Sequence, residues 1–479
     1  MRCRPLVLAA ALLSFGCEPP RPTNVVVVLV DTLRSDHLGC YGYSRDTSPN
    51  IDRLASSGYV FDAAIAQSSW TAPSVASLFT SLYPSVHGVV RWGSTVAPEL
   101  ETLAEVLQKR GLKTAGFSAN MAFVNPEKGF DQGFDVFEVL TRRARADESK
   151  EKIFGKVASE ASTVTDRAIR HLDEVGGQPF FLYVHYIDPH TPYNAPAPYR
   201  ERFVTESVGV VRKSHDDLFA ISGTISAGDD DVPHLIELYD GEIAYTDAQI
   251  GRLLGHLEDA GLMERTLVVI TSDHGEEFLE HRGWVHGTTL YREQVQVPLI
   301  VRMPDGAGGG RRIAEPIELV DVGPSLLEQH GAPDHRRTQG HSFASLMLPD
   351  GGFARLRRWF RSAWKAVEAP HEDSPSRANA FSELVKVTKD AREPRHAKAL
   401  RSERWSYLLD GSGADELFDN ADTAQADDLS SSQPGVATEM NRTLLDVLKR
   451  SEAFGELPTQ NETLSDEQRE KMRALGYVE

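Results

Sequence analysis

Three cysteines in 479 residues leave no room for a disulfide framework. Cys3 and Cys17 belong to the N-terminal stretch, so Cys40 stands alone in the body of the chain and no internal disulfide is expected. Its setting, Leu38-Gly39-Cys40-Tyr41-Gly42, suits a small buried thiol better than a reactive one. Long hydrophobic runs are missing too: the apolar stretch 5–15 is far too short to span a bilayer. Basic residues are in deficit, 51 Lys and Arg against 70 Asp and Glu, giving a net charge of −19. That sign is opposite to the one a duplex-binding protein needs, so no nucleic-acid partner is expected. It also disfavours docking on anionic lipid outside local patches. No internal repeat is visible, which excludes a solenoid.

What is present begins with an export pattern. Arg2 and Arg4 precede the apolar stretch, as in a signal peptide. The stretch ends in Gly16-Cys17, followed by Glu18-Pro19-Pro20-Arg21-Pro22-Thr23. A small residue followed by cysteine here resembles a bacterial lipoprotein cleavage box. The expectation is a signal peptide over 1–17, a lipid anchor at Cys17, a tether over 18–23, and a periplasmic or outer-membrane-anchored protein. Ordinary secretion, with Cys17 merely near the cut, is the other reading.

Short β-branched runs at 25–30, 114–118, 180–186, 267–271 and 298–303 read as buried parallel strands. Helical periodicity separates them at 49–57, 73–83, 100–110, 159–174, 235–260 and 320–331. This alternation predicts an α/β fold with a doubly wound sheet and helices on both faces, over 24–349. Residues 350–479 are expected to form a small C-terminal α+β subdomain, with strands at 381–387 and 405–409 and a helix at 436–454. Segments 200–232 and 350–378 read as insertions or loops. Within the latter, 353–367 (FARLRRWFRSAWKAV) is basic and amphipathic, either a helix packed on the body or a membrane-surface contact.

Ligands of doubly wound sheets bind beyond the carboxyl ends of the strands. The run VVVVLV leads straight into Asp31, and LVVITS into Asp273-His274-Gly275-Glu276. Either acid alone would be read as a helix cap. Two strand ends with the same habit point instead to a divalent cation held by Asp31, Asp273 and His274. Pro73 suits the first turn of a helix, which puts Thr71 just before a helix N-terminus. There it is either an N-cap or a hydroxyl poised where free N–H groups favour an anion.

Several blocks, in order, resemble the sulfatases of the alkaline-phosphatase-like superfamily. They are NVVVVLVDTLRSDHLGCYGYSRDTSPNIDRLA, SSWTAPSVASLFTSLYPSVHGV, FFLYVHYIDPHTPY, VITSDHGEEFLEH and HGTTLYREQVQVPLIV, with echoes in ELFDN and RALGYV. The resemblance implies an alkaline-phosphatase/sulfatase-like mixed sheet and an ester hydrolase. It makes Thr71 the nucleophile and a further metal contact, with Asp31, Asp273 and His274 holding one divalent ion (Ca, Mg, Mn or Zn). His190 is similar to the histidine that contacts the transferring group, and His286 falls where many members carry a cationic side chain. His185 and Asn120 are expected near the substrate, and His87 and His281 to be structural. The expected substrate is a small-molecule or glycan anionic ester.

Three departures from the family pattern shape that expectation. Members that use formylglycine need Cys or Ser at the Thr71 position and Arg at the Val75 position. Oxidising threonine would give a ketone, so no formylglycine is expected. Thr32 replaces a second carboxylate beside Asp31. The lysine-and-histidine motif of arylsulfatases is absent, with Asn120 nearby. Thr71 and His274 incline the chemistry toward phosphate or phosphonate esters, and the overall similarity toward sulfate esters. An envelope head-group transferase and a non-catalytic binding protein on the same fold are the competing readings.

The anchor is directly testable. Replacing Cys17 by Ala should move the protein from the membrane to the soluble fraction on cell fractionation; unchanged membrane retention would exclude lipidation at that residue.

Overall fold

The computed structural model describes residues 23–140, 161–191, 193–204, 231–306, 308–332, 334, 336–347, 379–386, 395–410 and 414–455. The signal peptide, Cys17, most of the 18–23 tether, the basic segment 353–367 and most of the 200–232 insertion lie outside the described residues. In chain order the strands are β1 (Asn24–Val30), β2 (Tyr59–Ile65), β3 (Lys113–Ser118), β4 (Val136–Val139), β5 (Phe180–Tyr186) and β6 (Thr266–Thr271). A hairpin of β7 (Glu277–Phe278) and β8 (Trp284–Val285) follows, then β9 (Gln296–Arg302), β10 (Arg311–Ile313) and β11 (Ile317–Glu318). The C-terminal strands are β12 (Asn379–Lys386), β13 (Arg395–Ser402), β14 (Trp405–Leu409) and β15 (Asp415–Asp419).

The main sheet runs β10-β2-β9-β6-β1-β5-β3-β4, with β11 added to β2. Strands β6, β1, β5, β3 and β4 pair in parallel. Because β1 is central and flanked by β5 and β6, both its faces are covered, and its residues divide by parity. Val25, Val27 and Leu29 join the core beneath the helices Thr71–Thr80, Leu103–Lys109 and Val322–His330. Val26, Val28 and Val30 face Ala161–Val175, Val232–Asp259 and Pro49–Ser56 on the other side. An apolar run without alternation is what such a doubly covered strand requires.

The expectation of a uniformly parallel set fails at one strand. β9, which covers the predicted 298–303 run, is antiparallel to both β2 and β6. Local composition cannot register this, since a buried strand reads alike in either direction; the hairpin and the Arg292–Val295 turn that reverse the chain decide it. β2 lies outside the predicted strands because Asp62 breaks its apolar run. The pairing with β9 slips between Phe61 and Ala64, the mark of a bulge, which lets Asp62 bond outward to Arg312.

The C-terminal sheet is antiparallel, β12-β13-β14-β15. One face adds Ala380, Leu384, Ala399, Leu408 and Phe418 to the main core. The other packs Phe381, Leu400, Tyr407 and Leu417 under Ala437, Met440 and Leu444 of the helix Pro434–Phe454. Ser382 Oγ donates to the Ala66 carbonyl at 2.6 Å and the Glu383 amide to the Gln67 carbonyl at 2.9 Å, fastening β12 to the chain just before Thr71. β13 and β15 are absent from the predicted strands because their alternation is broken by charge (RHAKALRS, DELFD). No helix among the described residues is long and apolar enough to cross a membrane.

Leu29 is fully buried between β5 and β6 two residues before Asp31. Leu29→Ala should lower unfolding stability by about 2–5 kcal/mol in a urea titration. A loss under 1 kcal/mol would mean that this core closes over cavities more easily than its packing implies.

Candidate functional site

Four parallel strands deliver their carboxyl ends to one place. β1 leads into Asp31, β6 into Ser272-Asp273-His274, β3 to Asn120 and β5 to His190. The Asp31 amide bonds to the Tyr186 carbonyl and the Ala119 amide to the His185 carbonyl, both at 2.9 Å, so the exits are locked in register. Asp31, Asp273 and His274 are each fully buried, and one ligand atom from each lies within 4.8 Å of the others.

The backbone around Asp31 is bent to make this possible. Thr32 has φ +56°, a left-handed conformation unusual for a β-branched residue. Its amide donates to Asp273 Oδ1 at 3.3 Å, and its carbonyl accepts from Tyr239 OH at 2.7 Å. Ser272 Oγ accepts from the Leu33 amide at 2.9 Å and donates to the His274 carbonyl at 2.7 Å, tying the two strand ends together.

The donor set fits a cation. His274 Nδ1 donates to the Gly275 carbonyl at 2.9 Å, so in the neutral ring the Nε2 lone pair faces Asp273 Oδ2 at 3.4 Å and Asp31 Oδ1 at 3.7 Å. Those separations are too long for hydrogen bonds, and both carboxylate oxygens are buried without a hydrogen-bond partner. Burial and the neighbouring Asp31 push Asp273 up to about 6. For Asp31 burial works in the same direction, yet its hydrogen bond to His185 and the charges of His190 and His274 outweigh it and hold the carboxyl below the usual range. Three lone-pair-bearing atoms converging in a dry site repel one another unless a positive charge lies between them, which a divalent ion or a proton on His274 can supply. Burial opposes the His274 cation, yet Asp273 and Asp31 outweigh it and push its pKa up.

Asn120 and His185, expected at the substrate, both turn to Asp31. Asn120 Nδ2 donates to Asp31 Oδ2 at 2.9 Å, and His185 Nε2 reaches the same oxygen at 3.3 Å. Tyr183 OH lies 3.0 Å from His185 Nδ1 and holds the ring from its other side. The two side chains thus occupy one oxygen of Asp31 and leave Oδ1 for the ligand set.

Thr71 does not cap its helix. Trp70 is the N-cap, and Thr71 is the first residue of Thr71–Thr80. Its Oγ1 lies 3.3 Å from His274 Nε2, and the side chain is buried. Ser74 Oγ, one turn on, donates to the Asp273 carbonyl at 2.6 Å and fixes this helix end against the β6 exit. Val75, at the family's arginine position, is fully buried in the core.

His286 closes the other side, with its ring centroid 4.4 Å from that of His274 and 4.9 Å from that of His190. Glu276 was passed over in the sequence as part of the DHGEE run, although its place at the β6 exit was a signal. Its Oε1 is 2.9 Å from His286 Nδ1, and Oε2 accepts from Tyr193 OH at 3.1 Å. Burial pushes Glu276 up to about 7 and holds His286 well below its ordinary value, His274 and His190 adding repulsion. His190 Nδ1 donates to the Thr191 carbonyl at 2.5 Å. His87 is taken up by Ser77, Pro73 and Val89, and His281 by Glu293 and Gln425, outside this cluster.

Comparisons with known proteins bear on the family and the fold. The family model described as Sulfatase matches residues 23–332. The "Uncharacterized sulfatase YidJ" of Escherichia coli K12 is 26% identical over 376 residues, covering 70% of this chain and 73% of that protein. Human iduronate 2-sulfatase is 26% identical over 382 residues, covering 67% and 69%. Among solved structures, the phosphonate monoester hydrolase of Agrobacterium radiobacter superposes with a TM-score of 0.69 at 20% identity, covering 93% of this chain and 99% of that one.

The support of Asp31 by Asn120 is measurable. Asn120→Ala should weaken Mn²⁺ or Ca²⁺ binding roughly 10–100-fold by calorimetry, and Asp31→Ala should remove it. Unchanged affinity in both variants would show that the ion, if bound, sits elsewhere.

Proposed function

The chain belongs to the sulfatase family, and on that footing we propose that it hydrolyses small-molecule or glycan esters of sulfate or of a phosphoryl group, with Thr71 as nucleophile beside a site for one divalent cation. The observation that carries this reading is the buried Thr71 hydroxyl at a helix start, 3.3 Å from His274 Nε2 and free of any capping bond. A hydroxyl kept dry and turned away from its own helix serves no helix-ending purpose; it faces the Asp31, Asp273 and His274 ligand set.

Asp31, Asp273 and His274 would hold the ion, with Thr71 Oγ1 beside them. When bound, a divalent cation lowers the pKa of a neighbouring hydroxyl and polarises a substrate oxygen. Thr71 Oγ1 attacks sulfur or phosphorus: its bond to that atom forms as the bond to the leaving oxygen breaks, and the proton that Thr71 Oγ1 gives up is balanced by the one the departing alcohol takes up. His190 and His286, whose rings meet over the site, brace the transferring oxygens as charge moves to the leaving group. Water then cleaves the bond between Thr71 Oγ1 and sulfur or phosphorus and restores the hydroxyl. Glu276 orients His286 through its Nδ1 hydrogen bond, and Tyr193 orients Glu276.

The threonine methyl group rules out an aldehyde hydrate, so the chemistry rests on an alkoxide. Sulfate esters are favoured by the iduronate 2-sulfatase relative and phosphoryl esters by the likeness to the phosphonate monoester hydrolase. Export with an anchor at Cys17 belongs to the same reading, supported by the Arg2–Arg4 and Gly16-Cys17 pattern of the sequence.

With aryl sulfates, phosphate mono- and diesters, and phosphonates offered in the presence of divalent cations, at least one class should turn over. Thr71→Ala should slow that turnover by on the order of 10³-fold or more, while Thr71→Ser, which keeps a hydroxyl, should retain part of it. Equal rates for wild type and Thr71→Ala would remove Thr71 as nucleophile. Tight binding of the esters without turnover would favour a binding protein on this fold.

A further inference from the structure

Arg401, on β13, has 3% of its surface exposed. Its Nη2 donates to the Leu290 carbonyl, while Nε and Nη1 have no hydrogen-bond partner. Among the described residues no carboxylate forms an ion pair with it. The nearest electrostatic counterweight is Glu293, and Glu293 Oε1 is already engaged by His281 Nδ1 at 2.8 Å. A buried guanidinium left this way is costly, and burial pushes its pKa down to about 10.

The same side chain lines a cleft of about 230 Å³ where the C-terminal sheet meets the outer edge of the main sheet. Arg292, Gln296, Ser402, Asn420 and Gln425 also line it. Gln425 is 3% exposed; its Oε1 accepts from the Arg292 amide at 2.7 Å, and its Nε2 has no partner. Arg292 Nη1 reaches the Asn420 carbonyl only at 3.5 Å. Every buried side-chain atom of this lining that lacks a hydrogen bond is therefore a donor. The acids on the wall are otherwise occupied or at its mouth. Asp62 pairs with Arg312, and Asp422 accepts from the amides of Ala424, Ala426 and Asp427 at 3.2, 2.8 and 3.1 Å. Glu403 is exposed at the bend between β13 and β14.

We propose that this cleft binds a small oxyanion, of the sulfate, phosphate or carboxylate class, through Arg401, Arg292 and Gln425. Arg401 Nε and Nη1 lie on opposite edges of the guanidinium, so one of them offers a single N–H to an oxygen of such an ion, and Arg292 and the Gln425 carboxamide supply separate donors. The volume lies below the ~300 Å³ at which pockets for drug-sized molecules begin, and suits an ion or one charged sugar unit. The site is distinct from the candidate active site: its wall includes none of Asp31, Thr71, His190, Asp273, His274 or His286. The Gln425 carbonyl accepts from His281 Nε2 at 3.2 Å, and His281 itself lies outside that cluster.

The test is calorimetric titration of the full chain, treated with EDTA, with sodium sulfate, sodium phosphate and sodium glucuronate. The last separates a free ion from the charged group of a sugar. Wild type should bind one of them at a site that survives His190→Ala. Arg401→Met, which replaces the buried charge with an apolar chain of similar length, should abolish that binding, and the partly exposed Arg292→Met should weaken it at least tenfold. If Arg401→Met does not fold, Arg292→Met and Gln425→Leu decide the matter alone. A wild type that binds none of the three at millimolar concentration overturns the proposal. So does a single site that is lost in His190→Ala and kept in the Arg292 and Arg401 variants.

Discussion

Asp31 and Asp273 are two fully buried carboxylates, each with one oxygen that finds no hydrogen bond, and both face the lone pair of His274. Nothing in a stable apolar core demands this, and the repulsion between the two carboxylates is the opposite of what packing alone would select. The surrounding structure is organised to sustain it. Thr32 is held left-handed by bonds from both sides, Ser272 ties the two strand exits, and Asn120 and His185 saturate the far oxygen of Asp31. Apart from Tyr239, on the helix Val232–Asp259, these supports come from the strands and their exits, and rigid elements of that kind can hold a constellation of side chains within about 0.5 Å of a productive geometry.

The placement of Thr71 depends on the same arrangement. Thr71 starts a helix whose first turn is fastened to the Asp273 carbonyl through Ser74, and the loop before it is fastened to β12 through Ala66 and Gln67. The Gly287 amide bonds to the Ser69 carbonyl at 2.8 Å, so the loop that carries His286 is registered against the loop that carries Thr71. The C-terminal sheet thus contributes to the active region without supplying a residue to it. Its interior cleft, where Arg401 is buried, shows that the junction also carries a polarity of its own.

Much of this was legible from the chain. The apolar runs that became β1, β3, β5 and β6 were readable because a strand buried on both faces leaves no alternation to confuse. The acid at each strand exit, and the Thr-Ala-Pro start of a helix, marked the site for the same reason: in such a sheet the exits converge. The strands that escaped, β2, β13 and β15, are those at which a charge interrupts the pattern. Glu276 escaped because a carboxylate next to a metal-ligand motif has no signature of its own until its partner, ten residues along, is seen 2.9 Å away.

Composition and order of residues by themselves determined the fold class and placed Asp31, Asp273 and His274 at the strand exits, where the structure brings them together. Both follow from local chemistry: which side chains fill a buried strand, and which ones end it. Only the tertiary structure decided that β9 runs antiparallel, that Thr71 leaves its helix uncapped to face His274, and that Asn120 and His185 both reach Asp31 Oδ2. Each of those outcomes depends on where a segment distant in sequence arrives in space, and no local pattern carries that information. Direction, orientation and partnership are properties of the assembled core, because only there do buried polar groups have to find one another.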